Sequence, residues 1–217
     1  MKILATADFH GSLEASRRTA LEAKNVGADI VVLCGDITHC GSIGDAKKVL
    51  SPLDVIDLPV LFVPGNCDPP SLVGVNIGSL RCIHGRCETY GNIVFIGVGG
   101  GVIGPFQTMF EMTEEEVMNV LTLGFKHSQA KRWLILVSHS PPKDTKLDVA
   151  YTGEHVGSLS IRQFIQEKKP SIVFCGHVHE ARGTDQINDT LLLNPGPAKH
   201  GHYAIVDLNE KIKVELF

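Results

Sequence analysis

No run of about 18 consecutive apolar residues occurs in the 217-residue chain, so no segment is expected to cross a bilayer as a helix. The opening MKILATADF has neither the long apolar core nor the small-residue cleavage site of a secretory leader, and a cytoplasmic protein is expected. No block of Lys and Arg is longer than a pair. With 20 basic against 24 acidic residues and a net charge of −4, broad electrostatic binding to nucleic acid is disfavoured. There is no CxxC pair among the six cysteines. In a reducing compartment they are expected to be free thiols, with Cys34 and Cys175 serving as small hydrophobes at the ends of apolar runs. Cys82-Ile83-His84-Gly85-Arg86-Cys87 offers three local ligands where a structural zinc site usually takes four, so a hairpin turn at His84-Gly85 is the expectation. The run Gly97-Val98-Gly99-Gly100-Gly101 lacks GxxxxGK[ST], and no GxGxxG opens a helix there, which makes it a weak nucleotide signature.

What is present is a chain with 43% hydrophobic residues, enough for a full core and one domain spanning 1–217. Strand-like runs recur at Lys2 to Ala7, Ile30 to Cys34, Val60 to Val63, Ile93 to Val98, Leu134 to Ser138, Ile172 to Cys175, Thr190 to Leu193 and Tyr203 to Leu208. Several are continuously apolar, the pattern of a sheet covered on both faces. Helical patterns lie between them. Thr113 with Glu116 forms a capping box ahead of the stripe Val117, Val120, Leu121 and Phe125. Ser160 with Gln163 suggests a second box, ended by Lys168-Lys169-Pro170, and a third helix is expected from Leu13 to Val26. Strand and helix alternate without linker, repeat or low-complexity tract, so the class is α/β.

Strand after strand then ends in the same chemistry. Lys2 to Ala7 runs into Asp8-Phe9-His10; Ile30 to Cys34 into Gly35-Asp36; Val60 to Val63 into Pro64-Gly65-Asn66-Cys67-Asp68. Leu134 to Ser138 runs into His139, and Ile172 to Cys175 into Gly176-His177-Val178-His179. Ligands of open α/β sheets bind beyond the carboxyl ends of strands, so five ends can converge on one spot. A crowd of buried carboxylates and imidazoles must neutralise itself or bind cations. Carboxylate, imidazole and amide suit Mn, Fe, Zn or Ni better than the all-oxygen sites of Ca or Mg. Residues two apart on an extended segment face the same way, so Asp8/His10 and His177/His179 can each present two ligands. Seven donors exceed one tetrahedral site and match two metals sharing a carboxylate.

In order, D-x-H, G-D, G-N-C-D, a later H and G-H-x-H resemble the signature of the calcineurin-like metallophosphoesterase superfamily. His139-Ser140-Pro141-Pro142, His155-Val156-Gly157-Ser158 and Asn194-Pro195-Gly196-Pro197 resemble a subgroup of small prokaryotic phosphoesterases related to cyclic-nucleotide phosphodiesterases. The resemblance implies a four-layer α/β/β/α sandwich of two mixed sheets flanked by helices. It implies one metal on Asp8, His10, Asp36 and His179 and a second on Asp36, Asn66, His139 and His177, with Asp36 as the bridge. Mn is the first expectation, with Fe, Zn and Ni as alternatives. A hydroxide shared by the two cations would attack phosphorus, and Asn66 and His139 would offset charge on the phosphoryl oxygens. The substrate class is a small-molecule phosphate ester or nucleotide. Small enzymes of this kind are commonly homodimers, though no residue here points to one.

Cys67 is the departure, because many superfamily members carry His there as the proton donor to the leaving oxygen. A thiol is smaller and a slower donor than imidazole. Either Cys67 donates, or it only packs beneath the metals and the proton comes from elsewhere, with His155 the most economical source. The substitution inclines the reading towards phosphodiesters. Asp68 is expected to orient its neighbours and is, with His155, a candidate substrate contact. His39, which follows the Asp36 loop, and His200 and His202, which follow the Asn194-Pro195-Gly196 turn, could line the cleft, but ordinary loop residues are the expectation; the walls of the cleft are assigned to Val102 to Glu111 and Thr145 to Ser158. Two competing readings are a nuclease of the same superfamily, which calls for a basic face, and a non-catalytic scaffold, which the full ligand set argues against.

Overall fold

Alternate residues of the apolar strands enter two different cores, which is why the strands read as unbroken hydrophobic runs. The computed structural model describes residues 1–128 and 132–217. The elements are β1 (Lys2–Thr6), α1 (Leu13–Asn25), β2 (Ile30–Leu33), α2 (Ile43–Asp54), β3 (Val60–Phe62), β4 (Asn76–Ile77) and β5 (Leu80–Cys82). Next come β6 (Cys87–Tyr90), β7 (Ile93–Val98), β8 (Gly101–Val102), β9 (Glu111–Met112), α3 (Glu114–Lys126) and β10 (Trp133–Ser138). The last are α4 (Leu159–Lys168), β11 (Ile172–Phe174), β12 (Gly183–Ile187), β13 (Thr190–Asn194), β14 (Ala204–Leu208) and β15 (Ile212–Leu216).

A seven-stranded sheet has the order β15-β14-β1-β2-β3-β5-β4, and a six-stranded sheet the order β12-β13-β11-β10-β7-β6. Both are mixed. Parallel pairs β1/β2, β2/β3 and β3/β5 form the centre of the first, and β7/β10, β10/β11 and β11/β13 that of the second, with antiparallel strands at the margins. Ile3, Ile30, Val32 and Leu61 from the first sheet pack against Phe95, Ile135, Val137 and Phe174 from the second. Each such large side chain, fully removed from water, contributes about 1.5–3 kcal/mol before chain entropy is charged. On the outer face of the first sheet, Leu4, Val31 and Leu33 meet Ala20 and Ala23 of α1 and Leu50 and Leu53 of α2. On the outer face of the second, Val94, Ile96 and Leu136 meet Val117 and Leu121 of α3 and Phe164 and Ile165 of α4. The architecture is the four-layer α/β/β/α sandwich.

Three local expectations change. Ser158, not Ser160, caps α4: its Oγ accepts from Ile161 N at 3.2 Å, while Ser160 lies in the first turn and donates its hydroxyl to Glu114 O. The remaining helix-end amides of Leu159 and Ser160 are taken by the Glu114 carboxylate, reaching over from α3. Helix α2 is an addition to the expected elements, although Ser42 and Asp45 make a reciprocal capping box ahead of Ala46, Val49, Leu50 and Leu53. Gly44 and Pro52 within that span obscure the pattern. The chain does turn at His84-Gly85, with Arg86 N donating to Ile83 O at 3.0 Å, but this is no hairpin. Strand β5 belongs to the first sheet and β6 to the second, so the turn carries the chain from one layer to the other.

Candidate metal centre

The parallel strands β1, β2 and β3 lie side by side, as do β10 and β11 facing them, and their carboxyl ends open at the same edge of the sandwich. Each strand end breaks abruptly. Asp8, His10, Asp36 and His177 all have positive φ, between 47° and 71°, a region that Asp and His enter more readily than most residues. The loops are tied together by backbone bonds: Asp8 N donates to Gly35 O at 3.0 Å, His10 N to Asp36 O at 2.8 Å, and Gly176 N to His139 O at 3.0 Å. The Asn194-Pro195-Gly196-Pro197 segment supports the first loop from the other side, since Ala198 N donates to Ala7 O at 2.8 Å. This brings the exposed Lys199 to the rim, a cation that no sequence motif marks.

All seven expected donors are brought together. His10 Nε2 lies 3.0 Å from His179 Nε2 and 3.6 Å from Asp36 Oδ2, and His179 Nε2 lies 3.7 Å from Asp8 Oδ1. On the other side of Asp36, its Oδ1 is 3.5 Å from His139 Nε2. Asn66 Oδ1 stands 2.8 Å from His139 Nε2 and 2.9 Å from His177 Nδ1. Asp36 is therefore flanked by two groups of donors.

The donor set fits divalent cations. His139 Nδ1 donates to Cys34 O at 2.7 Å, which leaves a lone pair on Nε2 facing the amide oxygen of Asn66. Two acceptors at that separation require a positive group between or beside them. Asp8 Oδ2 is buried with no hydrogen-bond partner among the described residues, a second acceptor with nothing to receive. Titration agrees. Burial, helped by the charge of Asp8, raises Asp36 to about 6. Burial lowers His10 and His177 to about 4, the Asp8 charge opposing it in both, and it lowers His139 as well. Although burial works to raise the pKa of Asp8, the surrounding imidazoles, His179 first, bring it below the usual carboxylate value. Imidazoles held neutral present lone pairs.

Asp68, expected both to orient its neighbours and to touch substrate, is turned inward. Fully buried, its carboxylate accepts from Ile37 N (3.0 Å), Thr38 N (2.7 Å), Thr38 Oγ1 (2.9 Å) and Gly65 N (2.8 Å). It staples the loop after β2 to the loop after β3, and so orients Asp36 and Asn66 together. Gly65 permits the approach, because a Cβ there would overlap Asp36 Oδ1. The glycine run after β7 has the same purpose, since a Cβ on Gly99 would overlap Pro64 O. Cys67 donates its amide to Asp36 Oδ1 at 2.8 Å, and its thiol, raised above its ordinary value by burial and by the charge of Asp36, faces His10 and His39. His39 thus joins the rim, with Nδ1 3.4 Å from His10 Nδ1, while His202 instead contacts Phe217 O and exposed His200 shows no side-chain bond among the described residues.

A cleft of about 580 Å³ opens beside Asn66 and His177. Its walls include Val102, Ile103 and Phe106 from one expected segment and Ala150 and His155 from the other. Lys143 and Glu180, which carry no motif, complete it. Asp148, equally unmarked in the sequence, lies buried behind His155, with its Oδ1 2.7 Å from His155 Nδ1.

A family model described as "Metallophosphoesterase, calcineurin superfamily" matches residues 42–217. The uncharacterised protein MJ1162 of Methanocaldococcus jannaschii is 38% identical over 208 residues, covering 94% of this chain and 91% of its own length. TT1561 of Thermus thermophilus superposes with a TM-score of 0.77 at 21% identity, covering 100% of this chain and 97% of the other. A dimetal phosphatase from Danio rerio superposes with a TM-score of 0.68 at 15% identity, covering 100% and 95%.

Proposed function

The chain belongs to the calcineurin superfamily of metallophosphoesterases, and from that premise we propose that it hydrolyses a phosphodiester at a binuclear metal centre. The observation that carries the reading is Asp36, with donors of Asp8, His10 and His179 on one side and of Asn66, His139 and His177 on the other. These residues would hold two divalent ions, Mn first and Fe, Zn or Ni as alternatives. When bound, such ions supply Lewis acidity and make water available as a nucleophile near neutral pH.

The residues themselves set the rest. The bond from His139 Nδ1 to Cys34 O fixes the imidazole's tautomer and aim, and the staple at Asp68 holds Asp36 and Asn66 in register. With Asn66 Oδ1 and His139 Nε2 both turned toward the ion they would hold, the amide NH2 of Asn66 is the group left to offset charge that builds on phosphoryl oxygens during an in-line displacement. A diester is favoured over a monoester for two reasons. Cys67 replaces the usual imidazole donor, which weakens catalysis most for leaving groups that need a proton. The cleft of about 580 Å³, apolar at Val102, Ile103 and Phe106, has room for an organic arm beyond the phosphate.

The test is a panel of phosphomonoesters, linear diesters, cyclic nucleotides and pyrophosphates with Mn, run on wild type and on Asp36→Ala beside metal analysis of both. Wild type is expected to bind two ions and hydrolyse diesters in a chelator-sensitive way, and D36A to lose at least ~10²-fold in rate and most of its metal. Equal rates in the two proteins would sink the reading.

A further inference from the structure

The connection from β10 to α4, residues 139–158, is a loop built around one carboxylate. Its ends are closed by Lys143 N donating to Ser158 O and Ser158 N to Pro141 O, both at 2.9 Å. Inside, Val156 N donates to Asp148 O at 2.9 Å, and the Asp148 side chain accepts from Asp144 N (3.1 Å), Thr145 N (2.7 Å) and Gly157 N (3.0 Å). The fourth partner is the His155 ring, Nδ1 to Oδ1 at 2.7 Å, with the Asp148 side chain 0% and the His155 side chain 41% exposed. A buried carboxylate thus holds one nitrogen of an imidazole whose other nitrogen is offered to the cleft. Lys143 Nζ, donating to His155 O, fixes the backbone beneath it.

The acidic groups of the cleft are otherwise engaged. Glu111 accepts from Thr108 N and Oγ1, Glu114 from Ser158, Leu159 and Ser160 at the start of α4, and Glu180 from Tyr151 N. Cys67 stands outside the cleft, grouped with His10 and His39. Among the described residues, His155 Nε2 makes no hydrogen bond, and it belongs to the same cleft as Asn66 and His177.

We propose that His155, positioned by Asp148, is the general acid that protonates the leaving oxygen when the ester's departing arm lies in this cleft. The inference rests on the phosphodiesterase reading. In the step, oxygen from water forms the new P–O bond and the bond to the leaving arm breaks. The leaving oxygen keeps that electron pair and takes the Nε2 proton of His155. The proton lost by the attacking water passes to solvent, from which His155 is recharged, while Nδ1–H stays on Asp148. Imidazole held by a carboxylate is a frequent solution for such a donor.

The Mn-loaded wild type, His155→Gln and Asp148→Asn are compared on methyl aryl phosphates whose leaving phenols range from p-nitrophenol to phenol. The amide introduced by His155→Gln can still donate to Asp148, and metal content and melting temperature report whether the fold is kept. H155Q is expected to hydrolyse the p-nitrophenyl ester within about threefold of wild type and to lose on the order of 10²-fold on the phenyl ester. D148N is expected to follow the same leaving-group dependence to a smaller degree. A further variant, His155→Gly, should regain phenyl-ester activity with free imidazole while its p-nitrophenyl rate is unmoved. Losses equal across the series, no loss, or no rescue would overturn the assignment. Chelator-sensitive p-nitrophenyl ester hydrolysis by wild type would at the same time sustain the phosphodiesterase reading; its absence from every ester would overturn both.

Discussion

His84 has its charge state written into one hydrogen bond. Its Nδ1 accepts from Gly99 N at 2.9 Å and its ring lies 5.5 Å from that of Phe110, and burial lowers its pKa from 6.5 to about 4. The unfolded chain therefore binds this proton first as the pH falls. Stability from this residue is flat above about 6.5, declines between about 6.5 and about 4, and by the bottom of that window has dropped by about 3 kcal/mol at most. In His84→Asn, the amide oxygen replaces Nδ1 as acceptor and cannot titrate. Urea unfolding of chelated wild type and H84N at pH 7 and pH 4 should show the gap between them changing by that amount in favour of the variant. A constant gap would mean that His84 is protonated in the folded protein.

At the scale of elements, the turn after β3 is where conformation and chemistry are least separable. A Cβ on Gly65 would overlap both Oδ1 and the backbone N of Asp36, so Gly65→Ala should cost about 2–4 kcal/mol and weaken metal binding. Chemical denaturation and metal titration of G65A check both; a wild-type midpoint would show that the loops can part cheaply. The sequence made β1, β2, β3, β7, β10 and β11 legible because burial on both faces leaves a continuous apolar run. It hid β4, β8 and β9, two residues each, the partly exposed strands β5, β6, β12 and β15, which carry no continuous apolar run, and the sheet-changing turn at His84-Gly85, since pairing partners are not encoded locally. The seven donors were legible because each follows a strand directly. Asp148 and Lys143 were not, because their positions depend on how loops fold back: Asp148 and His155 meet only when residues 143–157 close.

Taken whole, the molecule joins two sheets through an apolar core and, at one edge of that core, gathers the acceptors of Asp8, Asp36, Asn66 and the imidazoles from both sheets, where a cation would satisfy them. Each ion that binds the folded chain alone should add about 2.7 kcal/mol at 100 times its dissociation constant. For a chain of this size each ion raises the melting temperature by about 5–10 °C. Calorimetry with Mn against EDTA should show this for wild type and lose it for D36A; a wild-type transition indifferent to chelator would count against the proposed centre.

The strand order of the first sheet also bears on how the chain is made. β14 and β15 cover the flank of β1, yet they are synthesised after every other strand among the described residues, from Ala204 onward. For as long as the ribosome has not released residues 204–216, a nascent β1 has its outer row of amides and carbonyls open to any passing strand. Translation at about 5–20 residues per second keeps that template exposed for roughly ten seconds or more after β1 itself emerges. The order of the genetic message thus makes β1 wait for β14 far longer than it waits for β2.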